Sequence, residues 1–196
     1  MNNLTLLIPA NKEAESLPIF LNELINYNYK KMVVLQKEDE KTINSIKDFN
    51  DIQIIIQKKR GYGSALKEGL ENVKTEFFCI INADGSMDPK YLNQMLIDCE
   101  NNDLIFASRY LKGGGSDDDN FVTFIGNKGF SFLGNFLFKL GLSDILYTYI
   151  LGRTIKAKEL NLKYNDFRIC VEIPIIAKYK KYRFLSTASM ERKRIA

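Results

Sequence analysis

The sequence contains no histidine among its 196 residues. Histidine is the side chain whose ordinary pKa lies nearest neutral pH, so proton transfer in this protein would depend on a carboxylate, a lysine or a tyrosine. Serine–histidine and cysteine–histidine mechanisms are therefore excluded.

Cysteine is scarce, and Cys79, Cys99 and Cys170 lie far apart among apolar neighbours. Their spacing suits neither a metal site nor a disulfide framework, so we expect three reduced core residues. The sequence also lacks a secretory signal and an uninterrupted apolar run of the roughly 18 to 20 residues that cross a bilayer. These absences predict a cytoplasmic protein with no transmembrane domain.

Positive charge is concentrated near the end of the sequence. The net charge is +4, and residues 178–194 contain seven basic side chains against one acid, Glu191. This predicted basic edge is either a solvated face or a surface that attracts phosphate, in a nucleotide, a nucleic acid or an anionic membrane. Because a nucleic-acid function would rest on this segment alone, we expect no nucleic-acid partner.

Five apolar runs rich in β-formers alternate with segments of helical spacing. The runs cover residues 4–8, 32–35, 52–56, 77–81 and 104–107. This alternation predicts one α/β domain with a mainly parallel sheet and helices on both faces. Ligands of such sheets bind outside the carboxyl ends of the strands, so the polar residues after each run are the candidates for function.

Two of these post-strand segments contain residues suited to a ligand. Pro9 ends the first run, and Glu13 follows near a helix start. Gly61 and Gly63 follow the third run, where they permit close backbone approach and precede a helix whose free amides could face phosphate. The same glycines could merely cap that helix.

The fourth run leads into the segment "INADGSMDP", which contains Asn82, Asp84 and Asp88. Carboxylate oxygens suit Mg²⁺ or Mn²⁺, so the segment could hold a divalent cation. Alternatively, Asp84 and Asp88 are turn and N-cap residues before a helix that begins near Pro89.

Six segments in this order resemble family 2 glycosyltransferases of the GT-A fold, a Rossmann-like α/β fold, and among them the dolichyl-phosphate mannose synthase-like branch. They read "IPANKEAESL", "KKRGYGSALKEGL", "INADGSMDP", "ASRYLKGGG", "LSDILYTYILGR" and "ERKRI". The resemblance implies a UDP- or GDP-linked sugar donor, Mg²⁺ or Mn²⁺, inversion at the sugar, and a polyprenyl phosphate or glycan acceptor. Peripheral contact with the inner face of a membrane is implied as well. The oligomeric state stays open.

The resemblance also assigns donor-binding residues. Pro9 and Glu13 match the turn that lies against the nucleoside, whereas Arg60, Gly61 and Gly63 match the loop near the diphosphate. The resemblance implies a nucleotide-sugar-binding half at residues 1–110 and an acceptor-side half at residues 111–196.

Further matches concern the metal and the end of the chain. Asp84 matches the second carboxylate of an Asp-x-Asp metal motif, and Asn82 replaces the first. Arg192 and Arg194 match a basic segment near the donor and the membrane surface.

On the acceptor side, the resemblance places Arg109 near the acceptor phosphate and Asp144 close to the reacting sugar. It thus implies three catalytic residues, Arg109, Asp144 and Asp84. For a hydroxyl acceptor, Asp144 would be the general base. The phenylalanine-rich helical segment 121–142 is interpreted as a core helix, with a helix resting on a bilayer interface as the alternative.

Gln36 and Asn82 depart from the family pattern, because acidic residues are usual at both positions. This departure keeps a rival hypothesis open, a degenerate family member that binds nucleotide or a protein partner with little catalysis. A nucleotidylyltransferase is disfavoured because the first strand lacks the glycine-rich arginine loop of those enzymes.

Overall fold

The computed structural model describes residues 3–195. Its strands are β1 (Leu4–Pro9), β2 (Lys30–Leu35), β3 (Ile52–Ile56), β4 (Phe77–Ile80), β5 (Leu104–Ser108), β6 (Gly115–Ser116), β7 (Ile150–Arg153), β8 (Phe184–Ala188) and β9 (Met190–Glu191). Its helices are α1 (Ser16–Leu24), α2 (Glu40–Ser45), α3 (Tyr62–Asn72), α4 (Leu92–Asp98), α5 (Phe121–Phe138), α6 (Thr154–Glu159) and α7 (Ile169–Tyr179).

One seven-stranded sheet organises the molecule, in the order β3-β2-β1-β4-β7-β5-β8. Strands β1 to β4 pair in parallel, and β5 pairs in parallel with β8. Strand β7 lies antiparallel between β4 and β5. The predicted mainly parallel α/β sheet is thus confirmed, and the five apolar runs correspond to β1 through β5. Strands β7 and β8 share the sheet with the first 110 residues, while the division into functional halves stays a prediction.

The core has one layer on each face of the sheet. Leu6 and Leu7 are successive residues of β1, are fully buried, and belong to different layers, because successive side chains of a strand point to opposite faces. Helices α1 and α4 cover one layer, and α3, α6 and α7 cover the other. The three cysteines are free and buried, as expected.

The basic residues near the end of the sequence do not form one edge. Because β8 runs parallel to β5, the α7–β8 connection lies at the amino-terminal edge of the sheet, opposite the ends of β1, β4 and β5. That connection contains Lys180 and Lys181, whereas Arg192 and Arg194 follow β8 at the carboxyl-terminal edge. The predicted single basic edge is therefore wrong.

Helix α5 buries a small and polar side and exposes its large apolar side chains. Its buried residues are Ser131 and Gly134. Its exposed large apolar side chains are Phe121, Val122, Phe124, Ile125, Phe130, Phe132, Leu133, Phe136 and Leu137. The interpretation of this segment as a core helix is therefore wrong. Within residues 3–195, no helix combines the length and hydropathy needed to cross a membrane.

Candidate active site

A cleft of about 410 Å³ opens at the carboxyl ends of β1, β2, β3 and β4. Parallel strands bring their carboxyl ends to the same edge, so segments distant in sequence converge there. The lining residues are Pro9, Ala10, Asn11, Glu13, Gln36, Gln57, Gly61, Tyr62, Ala65, Asn82, Ala83, Asp84, Phe167 and Arg194. The cleft thus collects five of the predicted donor-binding residues after β1 and β4 and in the glycine loop, together with Arg194, whereas Gly63 is not among the lining residues.

Asp84 is held in a tight turn after β4. Its Oδ1 accepts hydrogen bonds from the amide and the hydroxyl of Ser86, at 3.0 and 2.7 Å. The turn needs a glycine at position 85, whose φ of 71° lies in the left-handed region. The other carboxylate oxygen of Asp84, Oδ2, lies 3.7 Å from Nε of Arg194. The turn therefore fixes the carboxylate and leaves one oxygen beside the cleft.

Asp88 has a different role from Asp84 in the same segment. Its carboxylate accepts from the amide of Lys90 at 3.0 Å and caps the 3-10 turn Pro89–Tyr91 that precedes α4. It also pairs with Nζ of Lys90 at 2.9 Å, which raises the pKa of that ammonium group. Asp88 is thus an N-cap, one of the two roles the sequence left open.

A divalent cation fits the cleft only with help from a ligand. Within the described range 3–195, no group of three or more acidic, cysteine or histidine side chains is arranged to hold a metal. Asp84 supplies one carboxylate, and Asn82 supplies an amide oxygen on the same cleft. Mg²⁺ is usually held by one or two carboxylates together with waters and substrate phosphates, and this donor set matches that pattern.

The turn after β1 forms one wall of the cleft. Glu13 accepts from the hydroxyl of Ser16 at the start of α1, and its own amide donates to Oγ1 of Thr42 at 3.0 Å. The carboxylate is therefore oriented by contacts within the protein. Pro9 and Glu13 both line the cleft, and their contact with a nucleoside stays a prediction.

The glycine loop packs against another part of the same chain. A Cβ atom at Gly61 would lie 2.2 Å from the carbonyl oxygen of Asn165, and one at Gly63 would lie 2.6 Å from that of Tyr164. The amide of Ser64, at the start of α3, donates to Asn165. Close approach does require the glycines, but the approaching group is a protein loop. Arg60 is exposed, pairs with Glu38 at 3.3 Å, and is absent from the cleft lining.

Arg109 and Asp144 form a buried ion pair. The guanidinium donates through Nε and Nη2 to the two oxygens of Asp144, at 2.7 and 3.1 Å, and through Nη1 to Glu191 at 3.1 Å. Asp119 lies 3.5 Å from Nη1. Burial opposes the charge of Arg109, but the hydrogen bonds and charges of Asp144 and Glu191 outweigh it and raise the pKa of the guanidinium.

This pairing bears on two of the predicted catalytic residues. Asp144 is fully buried and both of its oxygens accept from Arg109, so a substrate hydroxyl has no access to them in this arrangement. The guanidinium of Arg109 is likewise enclosed, with Tyr147 4.7 Å from it. The roles of base and acceptor-phosphate ligand stay predictions, and each would require this pair to open.

The last described residues fold back over the Asp84 turn. The amide of Ile195 donates to the carbonyl of Asp84 at 2.9 Å. Arg192 donates to both oxygens of Glu23 and to the carbonyl of Gly85, so its guanidinium joins α1 to the turn and does not line the cleft. Arg194 is the cleft-facing cation of this segment.

The cleft residues that were not predicted to bind the donor include Gln57, Tyr62 and Phe167. Gln57 follows β3 directly, so the rule that ligands bind after strand ends could have identified it. Tyr62 lies between the two predicted glycines. Phe167 is 110 positions from Gln57 in a segment without a motif, and only the folded structure brings it to the cleft.

Comparison with known proteins places this geometry in context. The family model described as glycosyl transferase family 2 matches residues 5–160. An uncharacterised glycosyltransferase of Mycobacterium bovis is 30% identical over 106 residues, which cover 54% of this chain and 48% of that protein. A dolichol-phosphate mannosyltransferase of Pyrococcus furiosus is 24% identical over 188 residues, which cover 90% of this chain and 53% of that protein. The chain spans about half the length of these relatives.

Solved structures share the fold. Glucosyl-3-phosphoglycerate synthase from Mycobacterium tuberculosis, in complex with Mn²⁺, UDP and glucosyl-3-phosphoglycerate, superposes with a TM-score of 0.73 at 12% identity, over 100% of this chain and 72% of that chain. The same synthase in complex with Mn²⁺, UDP-glucose and phosphoglyceric acid gives a TM-score of 0.68 at 14% identity. At these identities the likeness demonstrates the GT-A fold.

Proposed function

Because the chain belongs to glycosyl transferase family 2, we propose that it is a glycosyltransferase that transfers a sugar from a UDP- or GDP-linked donor to a polyprenyl phosphate, with inversion at the sugar. The observation that carries the proposal is the cleft that places Asp84, Asn82 and Arg194 together at the carboxyl edge of the sheet.

In the proposed mechanism, the cleft residues hold the donor diphosphate and favour its departure. Asp84 and Asn82 would hold a divalent cation, and Arg194 would provide a guanidinium for phosphate oxygens. When bound, Mg²⁺ or Mn²⁺ supplies positive charge that stabilises the leaving diphosphate. Arg194 is 62% exposed and close to Asp84, so it can turn towards an arriving diphosphate without breaking the core.

A lipid-phosphate acceptor agrees with the burial of Asp144, the predicted base, in its pair with Arg109. A phosphate oxygen is already anionic, so it can attack the anomeric carbon with little general-base assistance. Asp144 then need not leave its pair with Arg109. In this proposal the Arg109 cluster is a positioning element, because it ties β5 and β9 to the loop that precedes β7.

Helix α5 supports a membrane-bound acceptor. Its exposed apolar face would be costly in water and would be covered at a bilayer interface, as in helices that lie in the headgroup region. Lys128 and Lys139 lie on and at the end of this helix, and their ammonium groups can meet anionic headgroups. We therefore propose peripheral contact of α5 with the inner face of a membrane that contains the acceptor.

The alternative is a degenerate member that binds nucleotide or a protein partner and turns over little donor. Asn82 in place of a carboxylate favours it, because the cleft then contributes less negative charge towards a cation. A protein partner could also cover α5. Measured turnover of a nucleotide-sugar donor distinguishes the active glycosyltransferase from the degenerate member.

The test is release of nucleoside diphosphate from UDP- and GDP-sugars with Mn²⁺ or Mg²⁺, in three arms: polyprenyl phosphate in vesicles, phosphoglyceric acid, and no acceptor. We expect release above background with the lipid phosphate, loss of at least about 10²-fold in Asp84→Asn, and near-parent rates in Asp88→Asn, whose carboxylate caps a helix outside the cleft. Release with phosphoglyceric acid alone would contradict the lipid acceptor. No release in any arm would favour the degenerate member.

A further inference from the structure

The segment of residues 163–168, here called the rim segment, is anchored on both sides. Glu172 of α7 accepts hydrogen bonds from the amides of Lys163 and Tyr164, at 2.7 and 3.1 Å. From α3, Nζ of Lys67 donates to the carbonyl of Lys163 at 3.0 Å and to Oδ1 of Asn165 at 2.6 Å. The rim segment is a connection between helices, yet it is fixed at successive positions.

The glycine loop explains how the rim segment approaches the cleft. Gly61 and Gly63 lack the Cβ atoms that would collide with the carbonyls of Asn165 and Tyr164, and the amide of Ser64 donates to Asn165. The rim segment therefore lies directly on the start of α3. The two glycines therefore have a structural role, because they allow the rim segment to pack against the start of α3.

The rim segment places one large apolar side chain at the cleft. Phe167 is 72% exposed and lines the cleft. Its ring stacks on Tyr62 at 4.9 Å between centroids and 15° between planes. Tyr62 is itself fixed, because its hydroxyl bonds that of Thr148 at 2.7 Å. An exposed aromatic ring that is held rigidly at a cleft is prepared to stack on a flat partner.

The polar groups of the cleft indicate which part of a donor the ring would meet. The strand order β3-β2-β1-β4 places the uncharged amides of Gln57 and Gln36 at one side and Asp84 with Arg194 at the other. The side-chain amide of Gln57 donates to the carbonyl of Gly61, so the amide side is continuous with the glycine loop on which the rim segment rests. Uncharged amides suit a nucleobase, and the charged side suits a diphosphate.

We propose that Phe167 is a donor-positioning residue that stacks on the nucleobase of the nucleotide sugar. This inference rests on the proposed function, since it requires a nucleotide donor in this cleft. Stacking between a base and an aromatic side chain is worth about 1–3 kcal/mol by alanine substitution, which corresponds to roughly 5- to 150-fold in affinity.

Affinity measurements with Phe167→Ala test the proposal. We expect its dissociation constants for UDP and GDP, titrated by calorimetry with Mn²⁺, to rise at least about fivefold, while that of pyrophosphate with Mn²⁺ stays within about twofold of the parent. Phe167→Tyr keeps the aromatic face and should restore nucleotide affinity. Tyr179→Ala is the matched control, because Tyr179 is also an exposed aromatic but lies at the end of α7, away from the cleft.

A fluorescence measurement gives a second readout that a merely structural role would not move. The chain contains no tryptophan, so Phe167→Trp creates a single reporter at the rim. Stacking on a base should quench its emission with UDP or GDP and leave it unchanged with pyrophosphate.

The outcomes are distinct. If the parent binds UDP or GDP and Phe167→Ala binds them equally well, the stacking proposal is overturned and the proposed function stands. An equal loss of pyrophosphate affinity would also overturn it, because the ring would then act on the phosphate part. If the parent binds neither nucleotide, the proposed function and this inference fail together.

Discussion

Replacing Asp144 with asparagine distinguishes a structural ion pair from a catalytic base. Asp144 is fully buried and accepts two side-chain hydrogen bonds from Arg109. Removal of one partner from a buried pair costs about 3–5 kcal/mol when it leaves a charge uncompensated. Here Glu191 and Asp119 stay within 3.5 Å of the guanidinium, so Arg109 remains paired. We expect Asp144→Asn to lower the free energy of unfolding by about 2–3 kcal/mol, which is the contribution of hydrogen bonds to a charged group.

Arg109→Met is the matched comparison within the same cluster. It leaves the carboxylates of Asp119, Asp144 and Glu191 close together without the cation they share. Uncompensated buried charge costs more than a lost hydrogen bond. We therefore expect Arg109→Met to lower the free energy of unfolding by about 3–5 kcal/mol or more, which is a larger decrease than that of Asp144→Asn. The reverse order of the two losses would refute this physical reasoning.

Urea unfolding, monitored by far-ultraviolet circular dichroism, measures the free energy of unfolding of both variants. Thermal unfolding gives their melting temperatures, and specific activity is measured on the folded protein. For a domain of this size, 1 kcal/mol shifts the melting temperature by about 2–4 °C, so Asp144→Asn should melt roughly 4–12 °C below the parent. If Asp144→Asn is as stable as the parent and loses transfer by about 10²-fold, Asp144 acts as the base and the structural assignment is wrong.

Three further predictions concern the cleft, the thiols and α5. Asn82→Asp should tighten Mn²⁺ binding to the free protein by on the order of tenfold in calorimetry, because a second carboxylate adds negative charge; unchanged affinity would remove Asn82 from the metal site. Burial raises the pKa of the Cys99 thiol to about 11 and of the Cys170 thiol to about 12, so the free energy of unfolding should fall as pH rises above 9, their ordinary value. A melting temperature that rises above that pH would contradict this. Replacing Phe132 and Phe136 with serine should weaken binding to anionic vesicles by about a hundredfold or more, since each buried phenylalanine contributes about 1.5–3 kcal/mol, and parent-like sedimentation would exclude α5 as the contact.

Strands β1 to β5 could be predicted from the sequence because each contains a largely apolar run bounded by polar segments, whereas β8, which pairs in parallel with β5, contains no such run. Strand β7 was missed, since "ILGR" is short and contains Gly152, whose missing Cβ leaves room for Leu104 on the neighbouring strand. Its antiparallel position between β4 and β5 depends on tertiary pairing, which local periodicity does not encode.

Helix α5 shows a second limit of pattern reading. The segment is apolar enough to be a core helix, and a sequence does not specify which face of a helix the rest of the chain covers. In the structure the small and polar face, with Ser131 and Gly134, packs inward. This contact requires a small residue, because a Cβ atom at Gly134 would lie 2.5 Å from Cδ1 of Ile145, and the apolar side is left exposed.

Some residues of the candidate site could be predicted from the sequence, and others could be identified only from the folded structure. Residues at or shortly after strand ends, such as Pro9, Glu13 and Asp84, line the cleft, because the parallel strands bring these segments to one edge of the sheet. Arg109 and Asp144 are 35 positions apart, and their mutual pairing arises only in the folded chain. The segment with Phe167 carries no sequence signal that would have identified it.

The most direct test of the proposed donor site is calorimetric titration of UDP and GDP, with and without Mn²⁺, into the parent, Asp84→Asn and Asp88→Asn. We expect the parent to bind at least one nucleotide, and more tightly with Mn²⁺, since a cation at Asp84 would attract the phosphates and the two ligands must then reinforce each other's binding. Asp88→Asn should keep this metal effect and Asp84→Asn should lose it. If Asp84→Asn binds nucleotide with the parent's affinity and the parent's metal dependence, the Asp84 turn is not the donor site.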